Sequence, residues 1–167
     1  MRLFIAVNFS EEIRGTLLKA IQEIKSQAIS GNFTRPENLH LTLAFIGESD
    51  HIKEIQKVID SLNAHAFELT IGGFGHFGNL HWVGIDNNPE LKVLAENLRN
   101  GLRDSGFNIE DKAFKPHITI ARELQTNEPV RLSVPKKSMT VSRISLMKSE
   151  RINGKLTYTE IYGRSLS

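Results

Sequence analysis

The chain has 167 residues, of which 40% are apolar and 24% charged, a globular composition whose length suits one compact domain or two small lobes sharing a core. It holds no cysteine, so disulfides, thiolate metal sites and cysteine nucleophiles are excluded, and no apolar run approaches the roughly 20 residues that span a bilayer. Net charge is +2 but uneven: residues 131–167 carry eight Lys/Arg against two Glu, while the rest carries thirteen basic and seventeen acidic groups.

In chain order, Arg2 to Phe9 is predicted as a strand, too short and too soon followed by a polar helix to be a secretory leader. Ser10 is a suitable N-cap, Glu11 and Glu12 fill a first turn, and Ile13, Leu17, Ile21 and Ile24 follow at helical spacing. A loop over Gly31 to Asn38, with Arg35-Pro36 favouring extended backbone, leads into a strand from Leu39 to Ile46. A second helix is expected from Ser49 or Asp50 to about Asn63, its buried stripe made by Ile52, Ile55, Val58, Ile59 and Leu62.

Phe67 to Phe77 and Leu80 to Asp86 form a predicted hairpin turning at Gly78-Asn79. Pro89 opens a third helix with Leu91, Leu94, Ala95, Leu98 and Leu102 inward, and Gly106 closes it. A strand from Phe114 to Ala121 and a polar loop from Gln125 to Pro129 follow. Alternating stretches at Met139–Ser149 and Leu156–Tyr162 then read as antiparallel strands joined at Asn153-Gly154. The basic excess falls on these last strands; a solvated strand face is favoured there over a polyanion-binding surface. The pattern is α+β, with no linker dividing the chain.

Two tetrapeptides repeat one pattern 77 residues apart: His40-Leu41-Thr42-Leu43 and His117-Ile118-Thr119-Ile120. Alternate side chains of a strand share a face, so each motif presents His and Thr together, roughly 6–7 Å apart, and seats its aliphatic pair in a core. One such motif is usually only a strand. Two, similarly placed in both halves, point to a shared cleft with a pair of imidazoles, one taking a proton from water and the other giving one to a leaving oxygen. The Thr42 and Thr119 hydroxyls suit the non-bridging oxygens of a tetrahedral anion, and phosphate fits because its transfer depends on positioning and charge stabilisation. Arg122, three residues beyond Thr119, supplies a guanidinium for phosphate oxygens, a role favoured over a surface arginine lying along the sheet.

His51, His65, His76 and His81 show no metal-ligand spacing, and His81 beside Trp82 is read as an ordinary strand residue. Gly72-Gly73-Phe74-Gly75 lacks the Lys-Ser/Thr and helix of a phosphate loop and is expected to be a bulged or bent strand.

The sequence resembles the two-histidine phosphoesterases, and within them the RNA 2′,3′-cyclic phosphodiesterases, also called LigT-like proteins or 2′-5′ RNA ligases. The likeness is carried by Arg2-Leu3-Phe4-Ile5-Ala6-Val7, by Pro36 to Glu48 with the first motif, by the strand around Trp82, and by Phe114 to Arg122 with the second. It implies a bilobal α+β fold, pseudo-two-fold, with two antiparallel sheets flanked by helices around a central cleft and residues 1–167 as a single domain.

The resemblance also implies metal-independent hydrolysis of a terminal ribose 2′,3′-cyclic phosphate to a 2′-phosphomonoester. His40 is then the proton donor and His117 the proton acceptor, with Thr42, Thr119 and Arg122 binding phosphate. Phe45 is a candidate surface for the terminal nucleoside, although strict alternation puts it on the core face with Leu41 and Leu43. Lys115 departs from relatives that carry a second histidine before the proline. Expected partners are RNA ends or small cyclic-phosphate nucleotides, with no cofactor, no metal and no membrane, in a cytoplasmic monomer. Alternatives are 2′-5′ ligation by the reverse reaction, turnover of small cyclic nucleotides, and a non-catalytic nucleotide-binding module; the intact histidines and threonines argue against the last.

Overall fold

The alternating segments assemble into nine strands, joined by three α-helices, in a computed structural model describing residues 1–167. The order is β1 (Arg2–Asn8), α1 (Glu11–Gln27), β2 (Ala28–Phe33), a 3₁₀ turn (Pro36–Asn38), β3 (His40–Glu48), α2 (Ile52–Ser61), β4 (Phe67–Phe77), β5 (Leu80–Ile85), α3 (Pro89–Asp104), β6 (His117–Thr126), β7 (Lys137–Val141), β8 (Arg143–Ile152) and β9 (Lys155–Ser165). One sheet runs β3-β1-β8-β9 and the other β2-β6-β5-β4-β7, with every pairing antiparallel. The two motif strands thus lie in different sheets, which is the α+β, two-sheet arrangement the sequence predicts.

The continuous apolar run of β1 is explained by its place between β3 and β8 with both faces covered. Leu3, Ile5 and Val7 join a core of 33 buried residues reaching both sheets and all three helices, while Phe4 and Ala6 point to the opposite face and form a second small cluster with Met147. Ser10 caps α1 by accepting the Ile13 N–H (3.4 Å), and Asn88 caps α3 by accepting the Leu91 N–H (3.0 Å). Helices α1 and α3 bury the stripes their spacing predicts, such as Ile13, Leu17, Ile21 and Ile24 in α1, whereas α2 buries Ile55, Val58 and Ile59 and leaves Ile52 and Leu62, the latter just past its end, half-buried. No helix is long and apolar enough to cross a membrane.

The hairpin turns at Gly78 (φ +58°), and the last two strands turn at Asn153 and Gly154, both at positive φ as a type I′ turn requires. The glycine run does carry a register shift, between Ile71 and Phe74. Three boundaries differ from expectation. The segment read as helix end and loop contains β2, an edge strand whose pairing with β6 slips twice, so no alternation marks it. β6 begins at His117, directly after Pro116, which has no N–H for a ladder, and runs on past Ala121 to Thr126, taking in the first two residues of the expected loop. The stretch Met139–Ser149 is two strands, β7 in one sheet and β8 in the other, with the crossing at Ser142.

That crossing also disperses the basic segment. Lys136, Lys137, Arg143 and Lys148 pair with Asp86, Glu12, Glu160 and Glu150, and Arg164 donates to the Ile59 and Leu62 carbonyls at the end of α2. Four of the segment's eight basic side chains thus sit in local ion pairs, two of them with its own Glu150 and Glu160.

Candidate active site

Both motif strands show the same sequence of buried and open positions. His40 and Thr42 are half-buried, Leu41 and Leu43 are in the core, and His117, Ile118, Thr119 and Ile120 repeat this. Alternation then breaks at the same place in each. Ala6 pairs with Thr42 and Ile5 with Ala44, leaving Leu43 as an extra residue; Trp82 pairs with Thr119 and His81 with Ala121, leaving Ile120 extra. A one-residue bulge flips everything beyond it to the other face. Phe45 and Arg122, at matching positions, are therefore turned outward and exposed instead of entering the core. The expectation that alternation buries Phe45 is corrected by this bulge: Phe45 pairs with Phe4, on the face that carries the small Phe4–Ala6–Met147 cluster, and the Arg2 guanidinium lies 5.2 Å from its ring centre.

His40 is held at both nitrogens. Nδ1 lies 2.7 Å from the Asn38 carbonyl and donates to it, leaving Nε2 to accept from the Thr42 hydroxyl at 2.9 Å. The ring is enclosed by Phe4 (centroids 4.9 Å apart) and by the edge of Tyr158 (5.2 Å), which in turn contact one another at 4.9 Å. Burial holds the His40 imidazole below its usual pKa; the Asn38 carbonyl opposes this, and the charges of Arg122 and His117 add to the lowering. Burial also pushes the Tyr158 phenol up, against the charges of Arg122 and Arg2. Strands β3 and β6 contact one another where the two sheets meet, and Tyr158 packs on the His40 ring.

His117 is more open. Its Nδ1 donates to the Lys115 carbonyl at 2.8 Å and Nε2 has no protein partner. The Phe77 ring meets it edge-on at 5.3 Å. Thr119 is fixed through its main chain, whose carbonyl accepts from the Thr34 hydroxyl at 2.9 Å.

Residues that sequence reasoning missed stand mainly on the His40 side. Asn38, buried and polar, donates from Nδ2 to the Leu156 carbonyl (2.9 Å), which also accepts from Arg35 (2.8 Å). Strand β9 is thereby tied to the turn preceding β3, and Tyr158, two residues beyond Leu156, is brought against His40. Asn38 and Phe4 lie in segments already singled out by the resemblance. Tyr158 gave no such signal, being 118 residues from His40 in sequence. His51 and His65 lie outside these contacts, while His81 is buried and stacks on His76 (5.3 Å) on the far side of β5 from Trp82. Nowhere do three His, Asp or Glu side chains gather in a way that would hold a metal ion.

A sequence model of the 2′-5′ RNA ligase superfamily matches residues 11–153. The chain belongs to this superfamily. Among curated relatives, it is 36% identical over 132 residues to the RNA 2′,3′-cyclic phosphodiesterase of Thermotoga maritima, covering 73% of this chain and 70% of that one. It is 30% identical over 167 residues to the protein of the same name from Escherichia coli, covering 96% and 93%. The crystal structure of E. coli LigT complexed with 3′-AMP superposes with a TM-score of 0.88 at 28% identity, covering 99% of this chain and 98% of LigT. The superfamily's two-sheet fold thus extends over essentially the whole chain, including β9 beyond the matched residues.

Proposed function

We propose that this chain is a metal-independent phosphodiesterase that opens the 2′,3′-cyclic phosphate at an RNA end to leave a 2′-phosphomonoester. The observation that supports the reading is the contact between β3 and β6, strands of different sheets, each carrying a half-buried histidine and threonine at the same spacing, with Arg122 further along β6. The curated relatives bearing that activity in their names support it.

The two histidines divide the work by their contacts. His117 donates from Nδ1 to Lys115, so its Nε2 lone pair is free to take a proton from a water aligned on phosphorus. As the water oxygen bonds to phosphorus, the bond from phosphorus to the ribose 3′-oxygen breaks. His40 Nε2 delivers the proton that oxygen needs, leaving a 3′-hydroxyl and a 2′-phosphate. Thr42, Thr119 and Arg122 hold the non-bridging oxygens as charge builds on them.

A donor with a lowered pKa is an effective acid only if something charges it. The anionic phosphate does so. It attracts a proton to His40 and cancels the Arg122 charge that repels one. Protonation of the acid is in this way tied to occupancy of the site.

Phe45, exposed on the phosphate face, is the proposed surface for the terminal nucleoside. The same two proton transfers, with a ribose 5′-hydroxyl in place of water as the nucleophile and the 3′-oxygen again leaving, would make the 2′-5′ bond for which the superfamily is named. The reading takes residues 1–167 as one domain, supported by the core reaching both sheets, in a cytoplasmic monomer. Phosphorus NMR of the product from a cyclic-phosphate-ended oligonucleotide, in EDTA, tests it. A 2′-monoester is expected; a 3′-monoester exchanges the leaving oxygen, and no turnover without added metal ends the proposal.

A further inference from the structure

The His117 wall of the cleft carries an aromatic surface that the proposed reaction does not use. Register fixes its members. His117 pairs with Gly84 and Thr119 with Trp82, while Trp82 pairs across the hairpin with Gly75, so these residues share the cleft face with Phe77, two beyond Gly75. The glycine matters here: a Cβ at Gly75 would collide with the Trp82 ring, so only glycine lets the indole lie across β4 toward Phe77. Phe77 and Trp82 ring centres are 5.4 Å apart, and Phe77 is 47% exposed although it touches a reacting histidine. The Trp82 Nε1 donor is buried and has no partner. An exposed aromatic ring backed by a second one and continuous with a phosphate site is the usual equipment for stacking an unpaired base.

We infer that Phe77 and Trp82 form a second base-stacking subsite, for the nucleotide preceding the one that bears the cyclic phosphate. This rests on the proposed RNA-end activity and narrows its substrate to oligonucleotides. The other wall already offers Phe45, backed by Arg2, for one base. A mononucleotide needs a single platform; a second, on the opposite sheet and against His117, serves a second base.

The test is a comparison of substrate lengths. Phe77→Ala is expected to lower kcat/KM for a dinucleotide ending in a 2′,3′-cyclic phosphate by roughly 5- to 150-fold more than for the cyclic mononucleotide, the span of one base–aromatic stack. Phe77→Trp is expected to restore most of the difference. Equal losses on both substrates would mean that Phe77 only positions His117, and no loss on either would mean that it binds nothing; both outcomes overturn the inference. Trp82 is the sole tryptophan, so its fluorescence gives a readout free of turnover. A dinucleotide ending in a 2′-phosphate should quench it strongly and the matching mononucleotide weakly. Equal quenching by the two overturns the second-base assignment. Quenching by the dinucleotide without hydrolysis of any cyclic phosphate keeps the subsite and removes the activity reading, whereas hydrolysis without quenching removes the subsite alone.

Discussion

Strands β3 and β6 carry one motif, one bulge and one pattern of burial, yet they hold their histidines differently. The His40 ring has both nitrogens engaged and is boxed between Phe4 and Tyr158, whereas His117 has one nitrogen engaged and an open edge. Nothing within either tetrapeptide produces this difference. It comes from the neighbours each sheet supplies: β1 and β9 fold an aromatic cover over His40, while β5 and the hairpin tip leave His117 facing the cleft. A repeated motif thus sets which side chains face the cleft, and the surrounding sheet sets what each one does there.

The sharpest way to break the comparison is to remove each histidine. His40→Ala and His117→Ala should each lower turnover by about 10²–10⁴, the range for a positioned proton-transfer group. If either variant turned over a cyclic-phosphate-ended oligonucleotide at the native rate, the pairing would be wrong. Arg122 comes next. It stands where β3 has Phe45, and Arg122→Gln should cost roughly 10²–10³, as loss of a preorganised donor to a developing anion does. Arg122→Lys should recover only part, because an ammonium cannot make the forked contact. Full recovery by Lys would show that Arg122 supplies charge alone.

A smaller and more specific effect follows from protonation. His40 is lowered in the folded protein, so below its ordinary pKa near 6.5 the unfolded chain binds more protons than the folded one. Its contribution to stability is present above that value and lost as pH falls through the folded one. Burial lowers His81 as well, so the wild-type curve alone does not isolate His40. The difference between wild type and His40→Gln does, in urea unfolding from about pH 8 to about pH 5. Parallel curves would show that His40 is not held neutral. Phosphate binding near neutral pH should take up a proton in the wild type and not in His40→Gln, which calorimetry in buffers of different ionisation enthalpy measures directly.

Much of the architecture was legible because its signals are local. The capping serine before α1, the glycine turn between β4 and β5, and the paired motifs each depend on a few adjacent residues. What escaped depends on register. No sequence rule forces the extra residue at Leu43 or Ile120, yet those bulges turn Phe45 and Arg122 outward. Tyr158 and its tie through Asn38 escaped for the related reason that they join segments far apart in the chain. The switch of sheets at Ser142 is marked only by a slip in the alternation, from Met139 and Val141 to Ile144 and Leu146, which a bulge within one strand would produce equally.

The least of the expected effects separates the two walls by their supports. His40 and His117 both donate to a main-chain carbonyl two residues earlier, but only Asn38 contributes its side chain as well. Asn38→Ala removes a buried donor from the Leu156 carbonyl, which keeps its bond from Arg35. Because the acceptor stays partly satisfied, the cost belongs at the low end of the range for a broken buried hydrogen bond, about 1 kcal/mol. In a chain of this size that lowers the melting temperature by about 2–4 °C. Turnover should fall less than tenfold, since the carbonyl holding His40 remains while the turn that carries it loosens. Lys115→Ala, at the matching place before β6, removes an exposed side chain and should leave stability within about 0.5 kcal/mol of the wild type. Equal melting temperatures for the two variants would mean that β9 does not brace the His40 wall, and that the enclosure of His40 rests on the packing of Phe4 and Tyr158 alone.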